Sequence, residues 1–101
     1  MMRLQITRSA TEDLLNGHDF YELQQTGIGA YFLDSLYSDI DALALYAGIH
    51  PKPIGNLHRA MSRRFPFAIY YNLNSDVVTV MAVLDCRHNP ASIVERLVGR
   101  R

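Results

Sequence analysis

The residues of this chain best suited to chemistry stand together near its C-terminal end, in "VVTVMAVLDCRHNP", Val77–Pro90. An apolar run rich in β-branched residues reads as a buried strand. It ends by delivering Asp85, Cys86, Arg87 and His88. His88 changes charge near physiological pH, so it could serve as an acid or a base. Arg87 offers a planar fork of donors that suits phosphate or carboxylate. Arg63 and Arg64, in "SRRFPF", could face the same surface. The competing expectation is that the pair is the polar rim of a strand end, with Asp85 pairing to a nearby arginine and holding the strand end in place. Cys86 reads as a small hydrophobe there, since no histidine is placed for it by spacing. His18, His50 and His58 lack close metal-ligand spacing and suit solvated or capping roles. No metal or cofactor site is expected.

These residues need elements to position them. "RLQIT", Arg3–Thr7, alternates polar and apolar and predicts a first strand. "SATE" follows, where Ser9 can cap a helix while Glu12 reaches back. The first helix is expected over about Ala10–Gln25, with Gly17 as a weak point. Gly27 and Gly29 bracket a turn. Phe32, Leu33, Leu36, Ile40, Leu43 and Ala47 form the apolar stripe of a second helix, with Asp34, Ser38, Asp39 and Asp41 mainly on its wet side. Gly48 is a reasonable stop. "HPKPIG", His50–Gly55, is a loop, because Pro51 and Pro53 forbid regular helix.

Three candidate strands come next, "NLHRAMS", "RFPFAIYYNL" and "DVVTVMAVLD". "NSD", Asn74–Asp76, is turn chemistry between the last two. The Tyr70–Tyr71 pair should split between the two sheet faces, one buried and one exposed. Asn89 and Pro90 then look like an N-cap and a first-turn proline. Ile93, Val94, Leu97 and Val98 give a short last helix its apolar side. An N-terminal strand, a helical hairpin, a three-stranded antiparallel segment and a C-terminal helix make an α+β fold with a mostly antiparallel sheet. No linker or repeat interrupts residues 1–101, which read as a single domain.

Composition narrows the class. At 101 residues, 49% hydrophobic and 20% charged, the chain can bury a modest core and is not of disordered composition. No apolar run approaches a membrane span, and the N-terminus lacks the pattern of a signal peptide. A lone cysteine excludes an internal disulfide, so a cytoplasmic protein is expected. Net charge is zero, yet seven of the ten carboxylates lie in residues 1–50 and eight of the ten basic residues in 51–101. Nine of those ten are arginine.

"ATEDL" opening the first helix, "YFLDSLYSDIDAL" in the second, "RRFPFAIYY" and the strand ending in "LDCRHNP" together resemble the RelE/ParE superfamily of toxins from type II toxin–antitoxin systems, the plasmid-stabilisation toxins among them. The resemblance covers nearly the whole chain. It implies a compact toxin neutralised by a cognate antitoxin. RelE-like members are ribosome-dependent messenger-RNA endoribonucleases. ParE-like members inhibit DNA gyrase and carry no established nuclease residues.

Cleavage of RNA needs the 2′-hydroxyl activated, the phosphate neutralised and the leaving oxygen protonated. Arg87 stands where the family often places an arginine, His88 could transfer a proton, and Arg63 or Arg64 could neutralise a phosphate. The strand arginine that many members carry after "RFP" and an aromatic residue is absent, since Ala68 follows Phe67. The late tyrosine is absent too, because the stretch reads "PASIVERL". Lys52 is the one lysine. The resemblance therefore points to a ParE-like gyrase inhibitor acting by protein contact rather than as an enzyme, with Arg63, Arg64, Arg87 and His88 as target-binding candidates. The alternatives are a RelE-like nuclease on the ribosome using Arg64, Arg87 and His88, and an inactive relic that still binds antitoxin.

Overall fold

The computed structural model describes residues 1–100. The elements are β1 (Arg3–Ile6), α1 (Arg8–Gln24), α2 (Ile28–Tyr46), β2 (His58–Met61), β3 (Phe67–Asn74), β4 (Val77–Asp85) and α3 (Pro90–Val98). One four-stranded sheet runs in the order β1-β4-β3-β2. The α+β fold expected from the element order is the fold observed. The sheet is mixed rather than wholly antiparallel: β2, β3 and β4 alternate in direction, and β1 joins β4 in parallel, Arg3 beside Val77 through Ile6 beside Val80.

Strand β1 passes into α1 without a loop. The Thr7 N–H donates to the Val80 carbonyl, 3.1 Å, extending the pairing, and Thr7 Oγ1 accepts the Ala10 N–H, also 3.1 Å. The N-cap is thus Thr7 and not Ser9, because the helix must begin where strand pairing ends. The helix starts at Arg8, two residues before the expected point.

At the other end of α1 the hairpin is tied by one carboxylate. Glu22 accepts the N–H groups of Gly27 (3.1 and 3.0 Å) and Gly29 (2.9 Å), which would otherwise be orphan donors at the start of α2. Those bonds hold the Glu22 carboxyl below its ordinary value. Gly27 is left-handed, φ 94°, which favours glycine.

Gly17 is no weak point. It is buried, and a methyl placed there would fall on the Phe32 ring, 2.6 Å from Cε2. The missing side chain lets α1 and α2 approach over a cluster in which Phe32 stacks on Tyr21 at 5.3 Å and meets Phe65 and Phe67 edge-on.

A bulge in β4 sets the two faces of the sheet. Tyr70 pairs with Ala82 and Tyr71 with Val80, so Met81 has no partner. Before the bulge Val78 and Val80 face α1 and α2; after it Val83 does, while Ala82 and Leu84 turn to α3. Tyr70 and Tyr71 do split between faces, but both are buried, at 2% and 0% exposure. The expectation of an exposed tyrosine fails because Leu97 of α3, with Ile54 and Leu57 of the loop between α2 and β2, covers the second face. Asn89 caps α3 as expected, accepting the Ala91 N–H at 2.8 Å, with Pro90 in the first turn.

Strand β1 ends opposite Val80, so the last residues of β4 lack a neighbour on that side. Asp13 of α1 substitutes for it. Its Oδ2 accepts the Val83 N–H, 2.9 Å, and both its oxygens accept from Arg100, which also donates to the Met81 carbonyl, 3.3 Å.

Two outcomes follow for stability. Gly17→Ala in a helix interior would ordinarily gain about 1 kcal/mol; here overpacking against Phe32 reverses the sign, with an expected loss of about 1–3 kcal/mol in urea unfolding. Asp13→Ala strands a buried N–H and should lower stability by about 1–3 kcal/mol. In the same titration Asp13→Asn, which keeps one acceptor, should lose less.

Candidate functional site

The β2–β3 connection and the residues after β4 meet at one end of the sheet. Phe67 pairs with Asp85, and the Cys86 N–H donates to the Pro66 carbonyl at 2.9 Å. The fold thereby brings Arg63, Arg64, Arg87 and His88 to a common end, and all four are exposed. Their side chains are not equally available.

Arg87 is clamped on Asp85. Its backbone N–H and Nε donate to Oδ1 at 2.9 and 3.0 Å, and Nη2 donates to Oδ2 at 2.6 Å. The arginine pair expected at Asp85 is therefore present, and the partner is the residue two positions on. Arg87 pulls the Asp85 carboxyl below its ordinary value, against burial, which pushes it up. Asp85 in turn holds Arg87 more firmly charged, and the Tyr21 phenol beside it contributes to a lesser degree.

Arg63 turns to α2. Its Nε donates to Asp39 Oδ1 at 3.0 Å, and the Ser62 hydroxyl donates to Oδ2 at 2.8 Å. Asp39 does not sit on the wet side of α2 as its spacing suggested; its side chain is 7% exposed beneath the loop. Arg64 takes part in none of the four ion pairs among the described residues. His88 lines a groove of about 280 Å³ between α1 and the sheet end, with Asn16, Phe20 and Arg96.

Cys86 is exposed and lies just past the strand end; its Sγ donates to the Pro66 carbonyl, 3.1 Å. Among the described residues no group of three His, Cys, Asp or Glu could hold a metal.

The chemistry available at this end is limited by charge pairing. Phosphodiester cleavage needs unpaired cations aimed at the phosphate and groups to move protons. Of the four arginines at this end, Arg63 and Arg87 face carboxylates of their own, which leaves Arg64, Arg96 and His88.

Sequence reasoning missed three contributors. Tyr21 continues the buried stripe Ala10, Leu14, Gly17 of α1, so helical spacing could have flagged a ring turned inward with its hydroxyl at the rim. Arg96 and Asp39 had no such signal, since their positions depend on how α3 and the β2–β3 loop pack.

A second polar cluster lies across the sheet. Tyr71 Oη accepts the Gly48 N–H at 2.9 Å and sits 2.5 Å from His50 Nδ1. His58 stacks on the Tyr71 ring at 4.9 Å and donates from Nδ1 to the His50 carbonyl at 2.7 Å. His58 is buried, at 6% exposure, where a solvated or capping role was expected. It belongs to a strand whose inner face lies on Tyr71. His18 pairs with Asp19 at the surface, 3.0 Å.

No family model matches the sequence, and no curated protein matches it. A chain of the solved structure described as "Chromosomal ParDE TA system from P. aeruginosa" is similar in fold, with a TM-score of 0.75 at 18% identity, over 82% of this chain and 94% of that one. The RelE/ParE-like architecture implied by the sequence resemblance is thus the architecture of this chain.

The Asp85–Arg87 clamp has a pH signature. A carboxylate whose folded pKa is depressed contributes stability that is full above its unfolded value, near 4, and is lost as pH falls through the folded value. The urea midpoint of the native protein should therefore drop below about pH 4. In Asp85→Asn that drop should be shallower, with stability at pH 7 closer to that of the native protein at pH 3.

Proposed function

We propose that this chain is the toxin of a type II toxin–antitoxin pair. It acts in the cytoplasm on DNA gyrase by protein–protein contact and is neutralised by a cognate antitoxin. The observation that carries the reading is the fold shared over 94% of a chain from a ParDE TA system. The ordered sequence resemblance to RelE/ParE toxins adds to it. Among the described residues no helix is long and apolar enough to cross a membrane, which agrees with a target met in solution.

The choice of target rests on electrostatics. A ribosomal nuclease must enter a site dense in phosphate, where unpaired basic side chains supply most of the attraction. This chain has zero net charge, and Arg63 and Arg87 each lie against a carboxylate. A protein target is served by a mixed surface with a few exposed cations, since opposite charges fix register and speed encounter. The nuclease alternative draws support from the position of His88 beside Arg87 and from the Tyr21 phenol at the same end.

Induction of the chain in bacteria should arrest growth, and co-expression of the antitoxin should relieve it. Equal harmlessness with and without the partner would end the toxin reading. Purified chain should inhibit gyrase supercoiling and leave messenger RNA on ribosomes intact; codon-position cleavage would install the nuclease reading instead. Arg64→Ala should weaken target inhibition by about ten- to a hundredfold, the loss of one charge-assisted contact. His88→Ala should act through affinity or not at all, whereas in a nuclease it would lower cleavage more than ribosome binding.

A further inference from the structure

The connection between α2 and β2, residues 48–57, carries two prolines and two left-handed glycines, Gly48 and Gly55, and no helix or strand orders it. Its first four residues are pinned at three points, and two of these meet on the Tyr71 hydroxyl. At its start the Gly48 N–H donates to Tyr71 Oη. In its middle the His50 ring meets the same oxygen, and the His50 carbonyl accepts from His58 Nδ1. Just beyond, the Pro51 carbonyl accepts the Arg59 N–H at 2.8 Å. That last bond lies on the outer side of β2. The inner side pairs through the Ser62 N–H to the Phe67 carbonyl, and by alternation the N–H groups of Arg59 and Met61 point outward. Strand β2 is a sheet edge, and this loop covers the first of its outward donors.

The hydrogen bonds dictate the protonation state of the cluster. His58 Nδ1 must carry a proton, since its partner is a carbonyl. Tyr71 is fully buried, and its oxygen already accepts from Gly48. Its own proton needs an acceptor, and the one in reach among the described residues is His50 Nδ1. The closed loop therefore requires a neutral His50 whose Nδ1 is bare.

Protonating His50 puts a donor where an acceptor is needed and leaves the buried Tyr71 proton without a partner. The new charge finds no compensation nearby. The groups that face His50 are Tyr71 of β3, His58 of β2, and Tyr46, Asp39 and Arg63 around a groove of about 320 Å³. Asp39 is the one carboxylate among them, and it is taken up by Arg63 and Ser62. His58 is a further potential cation. Burial and His58 accordingly hold His50 below its ordinary pKa. His50 is only half-buried, so a charged ring can reach water by swinging outward.

We propose that His50, closed on Tyr71 and His58, is a proton-operated latch: protonation of its ring releases residues 48–51 from Tyr71 and uncovers the outer edge of β2. The released loop takes with it the acceptor at Pro51, leaving the Arg59 and Met61 N–H groups free on the same edge. Such an edge is a template for a pairing strand. The latch couples mild acidification to exposure of a strand-binding edge, whichever target the chain acts on.

Amide hydrogen exchange and histidine titration by NMR on the purified full chain test this. The His50 ring should titrate below 6.5. Between about pH 6.5 and 5.5, opening that needs protonation grows about tenfold. After correction for intrinsic exchange, protection of the Gly48 and Arg59 amides should fall by about that factor relative to those of β3 and β4. His50→Gln, which can still accept from Tyr71 but does not titrate, should keep its protection flat across the same range. Tyr71→Phe should leave both amides poorly protected at either pH. A His50 titration at or above 6.5 would overturn the proposal in the native protein alone, with no variant needed. So would protection that is independent of pH, or an equal loss in His50→Gln.

Discussion

The unpaired Met81 in β4 is the constraint on which the architecture turns. A strand with strict alternation would present one set of side chains to each face along its whole length. The extra residue shifts the alternation partway, so that Val78 and Val80 before it and Val83 after it face the helical hairpin, while Ala82 and Leu84 face α3. The same residue lies where β1 stops. Backbone groups beyond it have no strand to meet, and buried groups of that kind must be satisfied. Asp13 from α1 and Arg100 from beyond α3 converge there on the Val83 N–H and the Met81 carbonyl. One irregularity thus recruits both helical layers to the edge of the sheet.

The hairpin is built by the opposite device, which is the removal of bulk. Gly17 lets the Phe32 ring lie against the backbone of α1, and Gly29 lets α2 approach His18 and Glu22. Glu22 then closes the turn by accepting two backbone donors. The aromatic cluster beneath, Tyr21 with Phe32, Phe65 and Phe67, reaches from the hairpin to the β2–β3 loop. Phe65 thereby anchors on the core the loop that carries Arg63 and Arg64.

Charge pairing decides what that end can do. Arg63 and Arg87 have their strongest contacts within the molecule, Arg63 with a nearly buried carboxylate. Each pair orders its loop and reduces the field available to attract phosphate. Arg64, Arg96 and His88 remain for a partner.

Much of the fold was legible in the chain of residues, because local rules govern it. The 3.6-residue stripe of α2, the β-branched runs of β3 and β4, the Asn89–Pro90 helix start and the proline-interrupted loop depend on near neighbours, and each is present, although β3 begins at Phe67 rather than Arg64. The convergence of Arg63, Arg64, Arg87 and His88 on one end also followed from the order of strands. Local rules failed where a distant partner outbid a near one. Thr7 caps α1 in place of Ser9 because β4 holds it. Tyr70 and Tyr71 are both buried because α3 covers the second face. His58 is buried because its strand lies on Tyr71, and Asp39 is sequestered because the β2–β3 loop folds over it. Spacing alone determined which residues form helices and strands and which charges the chain carries. Tertiary packing decided which of those charges stay free, since an ion pair or a buried hydrogen bond between residues tens of positions apart leaves no periodic trace in the sequence.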